Sequence, residues 1–134
     1  MADDNVVREI HMFSNRHARE YPLQEGCDIT EWSNSDLDPG LSIARARVAP
    51  GVTTRWHSLR GVSERYVILS GRGRVEVGAG KPQAVGPGDV VLIPPETRQR
   101  VTNTGTGDLV FLAVCSPRYT PDCYRDLDAD TAST

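Results

Sequence analysis

The sequence predicts an all-β protein, built as a sandwich or barrel of short strands. Turn signals rich in Gly, Pro, Asn and Asp recur about every 8–12 residues, and the runs between them are rich in strand-forming residues. Several of these runs alternate polar and apolar side chains, as strands with one wet face do. At 134 residues the chain fits one domain that can bury a core without disulfides. We expect a single domain over 1–134, with a core at about 41–116, an arm at 1–40 and a flexible tail at about 128–134.

The N-terminal segment is predicted to be an arm or a short helix. From Asn5 to Tyr21 the spacing of the apolar residues allows a brief amphipathic helix, which Pro22 would end. Residues 27–33 then alternate in the way of a half-buried strand, and residues 34–40 have the composition of a turn.

A strand is predicted over Leu41–Val48, with small and apolar side chains on one face and Arg45 and Arg47 on the other. The two arginines are expected in water or at a subunit contact, and the alternative is an anion-binding pocket.

The stretch from Pro50 to Gly71 organises the rest of the chain. It contains two runs of strand-forming residues, Val52–His57 and Arg65–Leu69, which are predicted to pair as a hairpin. Because side chains two apart share a face of a strand, Arg55 lies beside His57, and Tyr66 lies beside Glu64. The hairpin would therefore bring His57 and Glu64 together on one wall.

The sequence Gly71-Arg72-Gly73 is predicted to be a hairpin turn. A phosphate-binding loop would need a helix after it, whereas strands are predicted on both sides. Pro117 and Pro121 interrupt the last segment, so no strong strand is expected there. The strands predicted between these points are Arg74–Val77, Gln83–Val85, Val90–Ile93, Gln99–Asn103 and Leu109–Cys115.

Charge and composition argue against several classes of partner. The net charge of −3 gives no basic surface for nucleic acid. No apolar run approaches 18 residues, and the N-terminus lacks the features of a signal segment, so we expect a cytoplasmic protein that does not bind membranes. Cys27, Cys115 and Cys123 have no disulfide or zinc spacing, and we expect reduced thiols.

The organising stretch resembles the first motif of the cupin family, Gly-x5-His-x-His-x3–4-Glu-x6-Gly. Gly51, His57, Glu64 and Gly71 fall at the motif positions, and Leu59 stands where the second His belongs. Residues 88–103 resemble the second motif, Gly-x5-Pro-x-Gly-x2-His-x3-Asn, with two departures. Glu96 replaces the motif Gly and Gln99 replaces the motif His. The resemblance implies the double-stranded β-helix, a jelly-roll barrel, of the cupins.

In cupins the two motifs hold a divalent metal, so the resemblance nominates His57, Glu64 and Gln99 as its ligands. These imidazole, carboxylate and amide donors suit iron, manganese, zinc or nickel, although the amide is the weakest of the three. Three protein ligands with open positions describe a catalytic metal better than a structural one. The alternative is a metal-free cluster in which Glu64 accepts hydrogen bonds from the His57 ring and the Gln99 amide.

Three neighbours are candidates for substrate binding. Arg55 can clamp a carboxylate or reach water, Leu59 would form an apolar wall, and Tyr66 can donate a hydrogen bond or line the cavity. Trp56 is expected in the core or at an interface, and its apolar area predicts a homodimer. Asn103 is expected to cap a turn.

These observations predict a cupin metalloprotein whose partner is a small molecule. The first hypothesis is a metal-dependent dioxygenase, isomerase or lyase acting on a small acidic or oxygen-rich metabolite, with catalytic residues that the sequence does not identify. The second is a non-catalytic binding or regulatory module that only holds a ligand.

Overall fold

The computed structural model describes residues 10–128, which form two antiparallel sheets. Eleven strands are present in this part of the chain, numbered in chain order. They are β1 (Tyr21–Pro22), β2 (Asp28–Ser33), β3 (Ser42–Val48), β4 (His57–Leu59), β5 (Ser63–Ser70), β6 (Gly73–Val77), β7 (Gln83–Val85), β8 (Val90–Ile93), β9 (Gln99–Asn103), β10 (Leu109–Ser116) and β11 (Tyr124–Asp126). A short 3-10 helix, Pro121–Cys123, precedes β11.

One sheet has six strands in the order β1-β2-β3-β10-β5-β8, and the other has five in the order β11-β4-β9-β6-β7. The predicted all-β barrel is therefore confirmed. Three strands, β1, β2 and β11, extend these sheets beyond the range 41–116 in which we expected the core. Within residues 10–128, no helix has the length and apolar character that a membrane crossing requires.

The predicted pairing of the two runs in the organising stretch is wrong. Strand β4 pairs with β9 and β11 in the five-stranded sheet, whereas β5 pairs with β10 and β8 in the other sheet. Alternating side chains specify which face of a strand is buried, but they do not specify the neighbouring strand. His57 and Glu64 therefore approach each other from opposite sheets and not from one wall.

The connection at Gly71 also differs from the prediction, because it joins β5 to β6 in the opposite sheet and is not a hairpin turn. Gly71 has a φ of +88°, and a Cβ there would clash with the carbonyl oxygen of Asp108. Only glycine fits such a close backbone approach.

The main core lies between the sheets. Strands β3, β5 and β10 contribute from one sheet and β6 and β9 from the other. Its buried hydrophobic residues are Cys27, Ile29, Ala46, Val48, Tyr66, Ile68, Val75, Val85, Ile93, Val101, Leu109 and Phe111. A second cluster contains Leu59, Val62, Cys115 and Cys123. All three cysteines are buried and free, as expected.

Of the two predictions for the N-terminal segment, an arm or a short helix, the described residues form an arm. Residues 10–20 contain no helix, and the chain enters β1 directly. The first part of the predicted helix, residues 5–9, and most of the predicted tail, residues 129–134, lie outside the described residues.

Candidate functional site

A cavity of about 80 Å³ opens beside the inner face of the six-stranded sheet. Alternation along β3, β5 and β10 directs every second side chain into this space. The lining residues are Tyr21, Leu23, Glu25, Cys27, Ile29, Glu31, Asn34, Ser42, Ile43, Ala44, Ala46, Glu64, Tyr66, Val101, Phe111, Ala113, Cys115 and Tyr119. The space is mostly apolar, with a few polar groups, which is typical of a small-molecule site.

Glu64 is the most unusual group in the cavity wall. The residue is only 8% exposed, and its side-chain oxygen Oε1 has no hydrogen-bond partner among the described residues. Its Oε2 accepts a weak hydrogen bond from the Cys115 thiol, with an S···O distance of 3.8 Å. Burial raises the pKa of Glu64 to about 7; the nearby His57 opposes the shift and the Glu25 carboxylate adds to it. The carboxyl group thus exchanges a proton near neutral pH.

His57 enters the site from β4 in the opposite sheet and is 2% exposed. Its Nδ1 lies 2.7 Å from the carbonyl oxygen of Arg55, and since a carbonyl can only accept, Nδ1 carries the proton. Its Nε2 faces the Glu25 carboxylate at 3.6 Å. The ring stacks on Tyr124, with centroids 5.3 Å apart. These contacts fix both the tautomer and the direction of the ring.

Gln99 lies opposite His57 in the register of β4 and β9 and is 1% exposed. Its Oε1 accepts a hydrogen bond from the Tyr66 hydroxyl, while its Nε2 has no hydrogen-bond partner within the described chain. Burial raises the pKa of Tyr66 well above its ordinary value, so the phenol remains a donor. The Gln99 amide contributes to lowering the pKa of Glu64, which places its NH₂ group on the Glu64 side. The Gln99 side of this geometry resembles the metal-free alternative, whereas the His57 ring donates to the Arg55 carbonyl oxygen and not to Glu64.

The other predicted substrate residues lie outside the cavity wall. Arg55 binds Asp126, with Nε 3.0 Å from Oδ2, so its guanidinium is already occupied. Leu59 is buried in the second hydrophobic cluster and does not line the cavity. Of the three, Tyr66 alone lines the cavity.

Trp56 is half-buried, and the guanidinium carbons of Arg98 and Arg100 lie 4.1 and 4.3 Å from the centre of its ring. The ring therefore offers less bare apolar surface than we expected, and the homodimer remains a prediction. Asn103 accepts a hydrogen bond from the Gly105 amide, as expected of a turn-capping residue. Arg47 binds Glu20 and Asp28 on the outer face of β3.

Sequence reasoning missed three residues at the site. Glu25 contacts His57, Tyr124 stacks on the same ring, and Tyr119 lines the cavity. Glu25 lies in a loop before β2, and both tyrosines follow Pro117 in the segment where no strand was expected. No motif or periodicity marks them, because only the folded chain brings these segments to the barrel.

The nominated metal ligands fit an ion only in part. Glu64 Oε1 is an available donor, His57 Nε2 carries a lone pair but faces the Glu25 carboxylate at 3.6 Å, and the Gln99 carbonyl oxygen is engaged by Tyr66. A 180° turn of the amide would exchange its oxygen and nitrogen. Among residues 10–128, no cluster of three or more His, Cys, Asp or Glu side chains is arranged to hold a metal.

Two packed antiparallel sheets around a small cavity with inward polar groups define a small double-sheet β-barrel protein. The chain belongs to the cupin family, since the family model described as "Cupin domain" matches residues 44–115. A relative in Methanocaldococcus jannaschii, the uncharacterized protein MJ1618, is 32% identical over 103 residues, which cover 75% of this chain and 82% of that protein.

Solved structures with low sequence identity share the fold. The nucleoside dehydratase Pac13 superposes with a TM-score of 0.73 at 18% identity, over 89% of this chain and 92% of its own. A variant of Pac13 from Streptomyces has been solved with uridine. A predicted oxalate decarboxylase from Thermotoga maritima has a TM-score of 0.71 at 23% identity, over 80% of this chain and 99% of its own.

Proposed function

We propose that this cupin is an enzyme of the isomerase or lyase type, which moves a proton on a small oxygen-rich metabolite held in the cavity. Glu64 is the group that takes and returns the proton. Tyr66 lines the same cavity and holds the substrate in position, while His57 approaches Glu64 from the opposite sheet and limits the rise of its pKa.

The observation that carries the proposal is the unpartnered Oε1 of Glu64 in the cavity wall. A buried polar atom without a partner costs free energy, and its presence at a cavity is typical of a site that a ligand completes. A general base also works best when its pKa lies near the working pH, which the pKa of about 7 for Glu64 satisfies.

The chemistry requires only groups that the cavity supplies. The Glu64 carboxylate removes a proton from a carbon next to a carbonyl group, and the C–H electron pair stays on the substrate as an enolate. In an isomerase, Glu64 returns the proton to the neighbouring carbon. In a lyase, the enolate expels the β-hydroxyl group, which takes the proton from the Glu64 carboxyl group and leaves as water, so that Glu64 is a carboxylate again. The similarity in fold to a nucleoside dehydratase supports the lyase form.

Proton exchange with solvent tests this function on model compounds, without the natural substrate. Chelator-treated protein is incubated in deuterated buffer with a panel of hydroxyaldehydes and hydroxyketones, and NMR follows deuterium entry next to the carbonyl group. We expect catalysed exchange for at least one compound and its loss in Glu64→Gln. Saturable binding without exchange would support the binding or regulatory module instead, and exchange that survives Glu64→Gln would remove Glu64 from its role.

A metal-dependent form is the second candidate, favoured by the Nε2 lone pair that the Nδ1–H tautomer leaves on His57 and by the unpartnered Oε1 of Glu64. A divalent ion on these donors would supply a Lewis acid to polarise the substrate carbonyl group. Adding manganese, iron(II), nickel or zinc to the stripped protein in the same exchange assay separates the two forms. Exchange that appears only with an added ion, and disappears in both His57→Ala and Glu64→Gln, would favour the metal-dependent enzyme.

A further inference from the structure

The cavity is lined by acidic side chains and by no basic ones among the described residues. Three acidic side chains line it, those of Glu25, Glu31 and Glu64, and Glu64, with a pKa of about 7, is ionised only in part at neutral pH. None of the described lining residues is Lys, Arg or His. Low-dielectric walls concentrate the field of such groups, so the space favours positive charge over negative charge.

Three arginines on neighbouring segments already form ion pairs or hydrogen bonds with other groups. Arg45 and Arg47 point to the outer face of β3, where Glu20 binds both at 3.6 and 2.6 Å. Arg118 binds the Asn34 amide oxygen and the Asp36 carboxylate, at 2.8 and 2.9 Å. The sequence alone allows an acidic metabolite as the ligand, but the cavity offers such a molecule no cationic side chain among the described residues.

Two further observations point to a ligand in the acidic cavity. Glu64 Oε1 is an unpartnered acceptor on a side chain more than nine-tenths buried, and a donor from a ligand would satisfy it. Aromatic rings also line the space, from Tyr21 at the exposed end to Tyr66, Phe111 and Tyr119 further in. Aromatic faces attract cations, most strongly where water is excluded.

We infer that the cavity selects a positively charged small molecule, an amine-bearing polyol or sugar, over its neutral and anionic counterparts. The ammonium group donates to Glu64 Oε1 and lies within the field of Glu25 and Glu31. The hydroxyl groups of the ligand face the tyrosine hydroxyls and Asn34. This inference rests on the proposed function, because it names the class of molecule that the same cavity would accept.

Three sugars of one ring skeleton test the charge preference. Glucosamine is cationic, glucose is neutral and glucuronate is anionic, and each is titrated into the full chain at pH 6.5 while ligand-observed NMR or calorimetry reports binding. We expect glucosamine to bind at least about ten-fold more tightly than glucose, and glucuronate to bind more weakly than both. Raising the salt concentration should reduce the preference, because it depends on charge.

Variants identify the source of the preference. Glu31→Gln and Glu25→Gln should each weaken glucosamine binding by about three- to ten-fold and weaken glucose binding by a smaller factor, so that the preference for glucosamine falls. Glu76→Gln is the matched control, because Glu76 binds Arg100 and does not line the cavity. Circular dichroism confirms that each variant is folded.

The outcomes separate this inference from the proposed function. Tighter binding of glucose or glucuronate than of glucosamine would overturn the charge preference while supporting a small-molecule cavity. Equal weakening by Glu76→Gln and Glu31→Gln would also overturn it. Binding of none of the three sugars would count against both the preference and a cavity for oxygen-rich molecules. Preference for glucosamine without proton exchange on any compound would support the inference alone.

Discussion

The Tyr66 hydroxyl donates a hydrogen bond to Oε1 of Gln99, and this contact joins the two sheets through the centre of the barrel. Both residues are at most 3% exposed. The amide therefore presents its nitrogen to the remaining polar groups, and the carbonyl oxygen that a metal would need is already used.

Removing the Tyr66 hydroxyl group should measure how much this hydrogen bond contributes to the free energy of unfolding. Tyr66→Phe leaves a buried carbonyl oxygen without a partner and should lower the free energy of unfolding by about 1–3 kcal/mol. The double variant Tyr66→Phe with Gln99→Leu removes both partners and should cost less than the sum of the single changes. Urea unfolding of the four proteins provides the cycle. Strictly additive losses would mean that the contact contributes no coupling energy.

Metal titration distinguishes the two roles of Gln99. We expect Gln99→His to raise the affinity for manganese, iron(II) and zinc, because it adds a nitrogen donor beside His57 and Glu64. Gln99→Leu should bind these ions as weakly as the wild type, since the amide oxygen is occupied by Tyr66. Chelator-stripped proteins are compared by calorimetry. A clear loss of affinity in Gln99→Leu would identify the amide as a ligand and favour the metal-dependent enzyme.

The raised pKa of Glu64 predicts a specific pH dependence of stability. Its pKa is about 7 in the folded protein, against an ordinary value of 4.5. Between these values the folded state retains a proton that the unfolded state has lost, so stability falls as pH rises through this window. The fall attributable to Glu64 amounts to roughly 3 kcal/mol and is complete above about pH 7.

Glu64→Gln isolates the contribution of Glu64 to the pH dependence of stability, because the amide has a similar shape and does not titrate. The free energy of unfolding of the wild type minus that of Glu64→Gln should decrease from pH 4.5 to pH 7 and level off above it. Glu76→Gln serves as the control that keeps the wild-type dependence. A difference that stays constant with pH would contradict the raised pKa.

Glu96 is the residue with positive φ, +59°, among the described residues other than glycine. The cupin motif has Gly at this position, and a side chain in this conformation costs about 1 kcal/mol. Its carboxylate offsets the cost by accepting a hydrogen bond from the Gly61 amide, with an N···O distance of 2.7 Å.

Two substitutions at Glu96 separate the cost of the backbone conformation from the gain of the hydrogen bond. Glu96→Gly loses the hydrogen bond and relieves the strain, so its stability should stay close to that of the wild type. Glu96→Ala loses the hydrogen bond and keeps the strain, and should be about 1 kcal/mol less stable than Glu96→Gly. Chemical denaturation measures both. Equal stability of the two variants would show that the backbone conformation contributes nothing.

The sequence by itself determined most of the strands and their buried faces, but the strand predicted over Val52–His57 is wrong, because only His57 of that run lies in a strand, β4. The alternation around Glu64, Tyr66 and Ile68 predicted one face of β5, and all three side chains are buried. Such predictions succeed because a two-residue period is a local property of the backbone and is written directly into the order of residues. The motif positions likewise nominated His57, Glu64 and Gln99 from the order of residues alone.

Only the tertiary structure decided which strands became neighbours and which groups met. It separated β4 from β5 into different sheets, brought Glu25 to His57, and paired Arg55 with Asp126, 71 residues further along the chain. A strand presents equivalent backbone donors and acceptors to any partner, so the pairing depends on how the whole set of strands buries its apolar faces. The polar contacts of the site follow from that choice, because they join segments that no local pattern connects.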